Sequence, residues 1–386
     1  MKHINEVNIN KYNCSGCTAC KSICPHKCIS MNNDNEGFLY PKVNIDLCIH
    51  CGKCVKVCPW LSSKREEKVN YPIVYAAKNI SDEIRQASAS GGVFSAIAEY
   101  VISNSGVVYG AAYDKMNHKV VHIDVTSKEE LGRLRGSKYV QSELNNSFIE
   151  IQAYLLNGKK VLFTGTPCQC AGLKAFLGKE YDNLVLVDIL CHSTPSPKIL
   201  QDTILSYGGN VTNIKFRDKS LGWRNSYHFE LFDSGHSKTN ETYLTLFFKG
   251  LINRPSCYKC KFKSSMRQSD ITIGDYWNIN KVKPEFEDAL GVSCILVNND
   301  KGARMIECIK DYLVLYETSL SSAFQDCMSR NVKEPKNRKL FWNDYNRKGF
   351  LYCEQKYGHM SKWEIFRDRT LAPIVREIKR IVKYGR

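Results

Sequence analysis

The chain has 386 residues, 18 of them cysteine, and 55 Lys+Arg against 39 Asp+Glu, for a formal net charge of +16. At roughly 150 residues per domain this length makes two or three domains, with a core large enough to stand without disulfide staples. Apolar content of 43% and charged content of 24% exclude collagen-like and wholly disordered chains, and the longest apolar runs, such as Leu184 to Leu190, are too short to span a bilayer.

The polar stretch Met1 to Asn13 lacks the apolar run of a signal peptide, so a cytoplasmic location is expected. In that reducing compartment the cysteines read as thiolate ligands or catalytic groups rather than disulfides. Nine of them lie in the first 58 residues. Cys14-x2-Cys17-x2-Cys20-x3-Cys24-Pro25 recurs with the same spacing as Cys48-x2-Cys51-x2-Cys54-x3-Cys58-Pro59, the pattern of two-cluster bacterial ferredoxins. Two-residue gaps let one loop wrap three thiolates around one iron–sulfur cube, and the fourth cysteine, past the turn, reaches the other. Cys14, Cys17, Cys20 and Cys58 are therefore expected on one 4Fe-4S cluster, and Cys48, Cys51, Cys54 and Cys24 on the second. Zinc prefers ligand pairs separated by a long loop, not triplets plus one. Cys28 fits no ligand slot and reads as a small buried side chain. Such a head moves one electron at a time.

Ser62 to Asn70, charged with one apolar residue, reads as a linker tethering an α+β ferredoxin-like head, 1–62. An α/β core is expected over 73–300 and a mostly helical, basic C-terminal region over 301–386. In chain order the core shows a helix-like run at Val93 to Val101 and strands at Val107 to Tyr113 and Val120 to Val125. A helix follows over Asn146 to Leu156, a buried strand at Val161 to Gly165, a helix at Ala171 to Leu177 and a strand at Leu184 to Leu190. Further strands are expected at Tyr227 to Phe232, Ile271 to Gly274 and Cys294 to Val297. Strands alternating with helices indicate some parallel pairing. The final segment, Thr370 to Arg386, puts apolar residues on one helical face and Arg376, Lys379, Arg380, Lys383 and Arg386 on the other. It packs on its own domain or contacts a membrane surface or partner peripherally.

Several turns carry chemistry. Ser88, Ser90, Gly91 and Gly92 precede a helix, where N-caps and free N–H groups suit a phosphate or simply cap the helix. Gly136 to Ser142 gathers Ser137, Lys138, Tyr139 and Gln141, compatible with an anionic cofactor. Val161 to Gly165 runs through Thr166-Pro167-Cys168-Gln169 into a helix, and the next strand ends in Cys191-His192-Ser193. Ligands collect at the carboxyl ends of such strands, and parallel neighbours would set Cys168 beside Cys191. Cys257-x2-Cys260 and Asp270 to Trp277 follow.

At these residues the chain resembles the β-subunit family of coenzyme F-420 hydrogenases and dehydrogenases, in its bacterial form with a fused two-cluster ferredoxin head. Ser90 to Phe94, Gly136 to Ser142, Gly165 to Gln169, Cys191-His192, Cys257-x2-Cys260 and Ser269 to Trp277 carry the resemblance. It implies an iron–sulfur oxidoreductase with FAD, which passes a hydride or electron pair to or from a deazaflavin or another small organic substrate. The flavin is expected in the loops 88–92, 136–142 and 165–169, and a third 4Fe-4S cluster at Cys168, Cys191, Cys257 and Cys260. The rival is a redox-active thiol at Cys168 or Cys191, with zinc or no metal at Cys257 and Cys260. Lys138 is the candidate for positive charge near flavin phosphate or a reduced ring. His192 either relays a proton or bonds a cluster sulfur or backbone carbonyl. An electron-donor protein is an expected partner, and an electron-transfer subunit feeding a separate catalytic partner is the alternative reading. Three oxidised clusters at about −2 each lower the net charge to about +10, and no nucleic-acid recognition module is evident. The remaining excess fits anionic substrates, an acidic partner or anionic lipid.

Overall fold

A computed structural model of the chain describes residues 1–7, 9–61, 72–208, 211–233, 236–264 and 267–359. The expected linker at 62–70 and the expected amphipathic helix at 370–386, with its membrane contact, lie outside these residues. Among the described residues no helix is long and apolar enough to cross a membrane.

Two left-handed residues shape each cysteine loop of the head. Gly16 (φ 67°) and Thr18 (φ 62°) follow Cys14 at the same offsets at which His50 (φ 52°) and Gly52 (φ 71°) follow Cys48, so the sequence repeat is also a backbone repeat. Left-handed residues curl the loop so that its N–H groups turn to one side. Each loop runs into a helical turn, Ala19–Ser22 or Lys53–Lys56. Between them β1 (Ile29–Asn33) and β2 (Leu39–Val43) pair antiparallel, Ile29 opposite Val43.

The core strands in chain order are β3 (Ile73–Asn79), β4 (Val107–Asp114), β5 (Lys119–Val125), β6 (Val161–Gly165), β7 (Leu184–Ile189), β8 (Asn213–Lys215), β9 (Glu230–Asp233), β10 (His236–Thr239), β11 (Ile271–Asp275), β12 (Ser293–Val297) and β13 (Leu313–Thr318). Eight of them form one mixed sheet in the order β13-β3-β12-β11-β7-β6-β4-β5, and β8, β9 and β10 form a small antiparallel sheet. The central run β11-β7-β6-β4 is parallel. Helices cover both of its faces: Val93–Ser103 and Asp300–Ile309 on one, Ser147–Leu156 and Pro167–Leu177 on the other. That double burial explains why β6 and β7 read as unbroken apolar runs.

Most expected elements appear within two residues of their anticipated bounds. The strand expected from Tyr227 begins only at Glu230, because Trp223–Asn225 is a 3-10 turn. The region beyond residue 300 is not only helical: β13 closes the sheet edge against β3, with Leu313 buried in the core shared with Ile306 and Ile309.

Candidate functional site

The head thiols fall into two sets. Cys14, Cys17, Cys20 and Cys58 line a cavity of about 340 Å3. Cys24, Cys48, Cys51 and Cys54 line another of about 350 Å3. Each set takes three thiols from one repeat and the fourth from the other. Cys28 also lines the second cavity, its Sγ 3.3 Å from that of Cys24. Among the described residues no three Cys, His, Asp or Glu side chains converge tightly enough for a single metal ion. Each head set instead surrounds a volume, which a multi-iron cube needs and a lone zinc ion does not.

The core thiols meet at the carboxyl rim of the parallel strands. β6 ends in Gly165, and Thr166 caps the helix Pro167–Leu177 through a reciprocal box with Gln169; the Thr166 N–H donates to Gln169 Oε1 at 2.9 Å. Cys168 stands in the first turn of that helix. β7 lies beside β6, Gly165 opposite Asp188, so Cys191 reaches the same rim. The 3-10 turn Pro255–Lys259 supplies Cys257 and leads to Cys260. The four are close enough to oppose one another's ionisation. Burial pushes Cys168 up to about 12, assisted by Cys260 and Cys257. Burial pushes Cys191 well above the usual thiol range, assisted by Cys257 and Cys168.

A cation waits beside these thiols. The Arg267 side chain is 1% exposed, and among the described residues none of its three guanidinium nitrogens has a hydrogen-bond partner. Its nearest carboxylate, buried Asp188, is 3.9 Å away. Arg267 and Lys263 both favour ionisation of Cys260, and Lys263 that of Cys191 and Cys257. A buried guanidinium with unspent donors is costly unless an anion faces it. Cys260 beside it, with the thiols whose ionisation it opposes, fits an anionic iron–sulfur cluster.

The head is docked on the core, not merely tethered. Cys17 packs on Gly172 of the helix that carries Cys168; a Cβ there would lie 2.8 Å from Cys17 Cβ. Arg254, three residues before Cys257 and 1% exposed, donates to the carbonyls of Cys14 and Leu39 at 2.9 Å each and to Gln141 Oε1 at 2.7 Å. Arg338 forks onto Glu36, and Ser196 Oγ donates to the Glu36 carbonyl. Buried polar groups on both sides satisfy one another across the seam, which a loosely tethered head would leave unpaired.

The three loops expected to hold a cofactor form one strip along the same rim. Ser88 Oγ donates to the Ile84 carbonyl, Ser90 Oγ to the Val292 carbonyl, and the Gly91 N–H to Ser293 Oγ. A Cβ on Gly91 would meet the Ala77 carbonyl oxygen at 2.3 Å, so only glycine fits. Gly92 (φ 86°) opens the helix Val93–Ser103 with no side-chain cap, which leaves first-turn N–H groups for an anion. Arg135 donates to Ser95 Oγ in that turn at 2.9 Å and brings the 136–142 loop against it. Gln169 Nε2 donates to Ser142 Oγ at 3.0 Å and joins the third loop. Lys138 Nζ donates to the carbonyls of Arg133 and Arg135, and burial lowers its pKa to about 7. Its ammonium is thus engaged by its own loop. The Tyr139 ring packs against Phe216, Tyr227 and Phe247. The His192 ring lies edge-on to Phe247 and Phe248, and its carbonyl accepts from Lys263 at 2.6 Å; the surrounding protein and the Lys263 charge lower its pKa to about 4.

Three family models match the chain: a 4Fe-4S dicluster domain over residues 13–61, and the N-terminal and C-terminal parts of the coenzyme F-420 hydrogenase/dehydrogenase beta subunit over 74–148 and 158–322. The chain belongs to the coenzyme F-420 hydrogenase/dehydrogenase β-subunit family. It is 28% identical over 178 residues to the coenzyme F-420-dependent sulfite reductase of Methanocaldococcus jannaschii, a match covering 44% of this chain and 26% of that protein. It is 41% identical over 49 residues to one subunit of the Na(+)-translocating ferredoxin:NAD(+) oxidoreductase complex of Acetobacterium woodii (13% of this chain, 14% of that protein). It is 39% identical over 62 residues to a subunit of the NADH-quinone oxidoreductase of Geobacter metallireducens (15% and 47%). The chain thus spans about a quarter of the sulfite reductase and less than half of the other two. Among solved structures, a chain of the F-420-reducing nickel–iron hydrogenase complex from Methanosarcina barkeri aligns with TM-score 0.47 and 17% identity, over 74% of this chain and 96% of that one.

Within this β-subunit family member, sequence reasoning missed the cations that hold the site. Arg254 and Arg267 are isolated in sequence and carry no motif. Lys219 donates to the carbonyls of Arg85, Ser90 and Leu290 at 2.7, 2.8 and 2.6 Å and so pins the 88–92 loop. Arg217 bonds Ser226 Oγ and Asp275 Oδ2 and lies 4.3 Å over the Tyr227 ring. The cluster Phe216-Arg217-Asp218-Lys219 was the one available signal for these two.

Proposed function

We propose that this chain is an iron–sulfur flavoprotein oxidoreductase that couples one-electron transfer to two-electron reduction or oxidation of a small organic substrate or a deazaflavin coenzyme. Cys14, Cys17, Cys20 and Cys58 would hold one 4Fe-4S cluster, Cys24, Cys48, Cys51 and Cys54 a second, and Cys168, Cys191, Cys257 and Cys260 a third. FAD, when bound, would supply the interconversion of single electrons and hydride equivalents. The uncapped first turn of Val93–Ser103, with Ser88, Ser90, Gly91 and Gly92, would take its phosphates. Ser137, Lys138, Tyr139 and Gln141, with Gly165, Thr166, Pro167 and Gln169, would shape the remaining wall beside Cys168. His192, neutral at physiological pH, would accept and return a proton beside Cys191. The observation that carries the reading is the mutual opposition of the four core thiols at the rim of β6 and β7, with Cys168 on a helix whose Gly172 packs against Cys17. The name of the sulfite reductase relative supports deazaflavin as the two-electron partner.

Anaerobically reconstituted protein should hold about 12 irons per chain, against about 8 for the head alone. Its acid-denatured supernatant should show flavin fluorescence. Eight irons would remove the third cluster, and binding of neither FAD nor FMN would remove the flavin.

A second reading is an electron-transfer subunit feeding a separate catalytic partner. Two of the relatives are themselves subunits by name, which supports it. Turnover of an organic acceptor by this chain alone favours the enzyme; turnover only after addition of a second protein favours the subunit.

A further inference from the structure

The cavity of Cys24, Cys48, Cys51 and Cys54 is walled by residues 3–54 alone, whereas Cys14 and Cys17 face Arg254 and Gly172 of the core. The first of these sets is thus distal to the core and the second proximal. Around the distal set the surface is unusual for a small polar domain. Ile45, Leu47 and Ile49 are 54%, 55% and 59% exposed within five residues that contain Cys48, and Ile49 itself lines the cavity. Pro25 and His26, also cavity-lining, are exposed beside them. Exposed single apolar residues are ordinary, but three in one segment at the mouth of a buried site mark an interaction surface.

Charge identifies the partner. Lys27, Lys53 and Lys56 are all exposed on the segments that flank this mouth. None of the three is paired with a carboxylate among the described residues. Lys53 lines the cavity, and Lys27 adjoins its lining residue His26. Asp46 in the same segment and Glu6, 3.9 Å from His50, are the acids beside it. An apolar centre ringed by unpaired lysines steers and seats an acidic protein surface.

We infer that this face is the docking site of a small acidic one-electron carrier protein, which exchanges electrons with the distal cluster. The inference rests on the assignment of Cys24, Cys48, Cys51 and Cys54 as cluster ligands. The step would move one electron from the reduced metal centre of the carrier to the cluster that Cys24, Cys48, Cys51 and Cys54 would hold; no bond forms or breaks and no proton moves. Access decides the order, because the proximal thiols lie against the core and the distal ones lie under the exposed rim.

The test is anaerobic stopped-flow reduction of the full-length holoprotein, with reduced two-cluster bacterial ferredoxin as one donor and dithionite as the other. The Lys27→Glu/Lys56→Glu variant is compared with wild type after matching iron content and cluster spectra. Ferredoxin should reduce wild type at a rate that falls steeply with salt. The double variant should lose about tenfold or more of that rate at low salt and most of its salt dependence, and its rate with dithionite, read at high salt where the charge of this small anion is screened, should stay within twofold. Equal ferredoxin rates in wild type and variant would overturn the docking site. Reduction of wild type by dithionite but not by ferredoxin would overturn the carrier class and leave the oxidoreductase reading standing. Sedimentation with phosphatidylserine vesicles that only the wild type shows, with unchanged ferredoxin rates, would assign the face to lipid and overturn the proposal.

Discussion

Arg254 Nη2 lies 3.9 Å from Cys14 Sγ, and the two residues are 240 positions apart. Among the described residues no carboxylate pairs with Arg254, although its side chain is buried, stacked 4.3 Å from the Tyr40 ring. A buried guanidinium without a carboxylate calls for another anion, and the cluster proposed on Cys14, Cys17, Cys20 and Cys58 would supply it. Positive charge and N–H donors near cluster sulfurs favour the reduced, more negative state. Arg254→Gln should therefore lower the potential of the proximal cluster by about 59 mV, equivalent to a tenfold change in its reduced-to-oxidised ratio. An EPR-monitored redox titration should show the distal cluster unmoved. Equal shifts in both clusters, or in neither, would remove the tuning role.

The crossed thiol sets make an asymmetric prediction. Cys58→Ala should cost about four irons and the signal of the cluster shared with Cys14, Cys17 and Cys20. Cys24→Ala should cost fewer, because the Cys28 thiol, 3.3 Å from Cys24 Sγ and in the same cavity, is placed to take over. The double change of Cys24 and Cys28 to Ala should lose the distal cluster entirely. Iron analysis with EPR resolves the three cases; a full loss in the single Cys24 variant would exclude Cys28 as a substitute.

The seam between head and core predicts a large stability effect from one neutral substitution. Arg338 is 8% exposed at its side chain and forks onto Glu36, while also donating to the Asn253 carbonyl at 3.0 Å. Glu36→Gln should cost about 3–5 kcal/mol, since it leaves a buried cation without its counter-charge. The urea midpoint of the holoprotein checks this, and a change below about 1 kcal/mol would show the seam to be hydrated. For the same reason removal of residues 1–62 should destabilise the core, by uncovering Arg254 and Arg338.

His122 makes the fold sensitive to acid. It is buried beside Phe163, with Nε2–H donating to the Thr164 carbonyl at 3.0 Å, and burial lowers its pKa from 6.5 to about 4. Between those values the unfolded chain takes up a proton that the folded chain refuses, so stability is complete above about pH 6.5 and declines as the pH falls towards 4. From pH 7 to 5.5 the loss attributable to this group is about 1 kcal/mol. His122→Gln, which keeps a donor but does not titrate, should flatten that part of the urea-midpoint profile. An unchanged slope would place the acid sensitivity elsewhere.

Local spacing determined the cysteine repeats and the runs of β6 and β7. Three ligands within seven residues, or a strand buried on both faces, leave their whole signature in consecutive residues. The rim position of Cys168 and Cys191 was legible for the same reason, since adjacent parallel strands end together. β3 and β13 were not legible as central and edge strands, because their partners lie far along the chain: Ala77 faces both Ser293 and Leu315. Nor was the seating of the head, which depends on Arg254 reaching Cys14, Arg338 reaching Glu36 and Gly172 admitting Cys17. A lone arginine or glycine has no period and no motif. Its role arises only when folding removes water from around it and leaves one partner within reach.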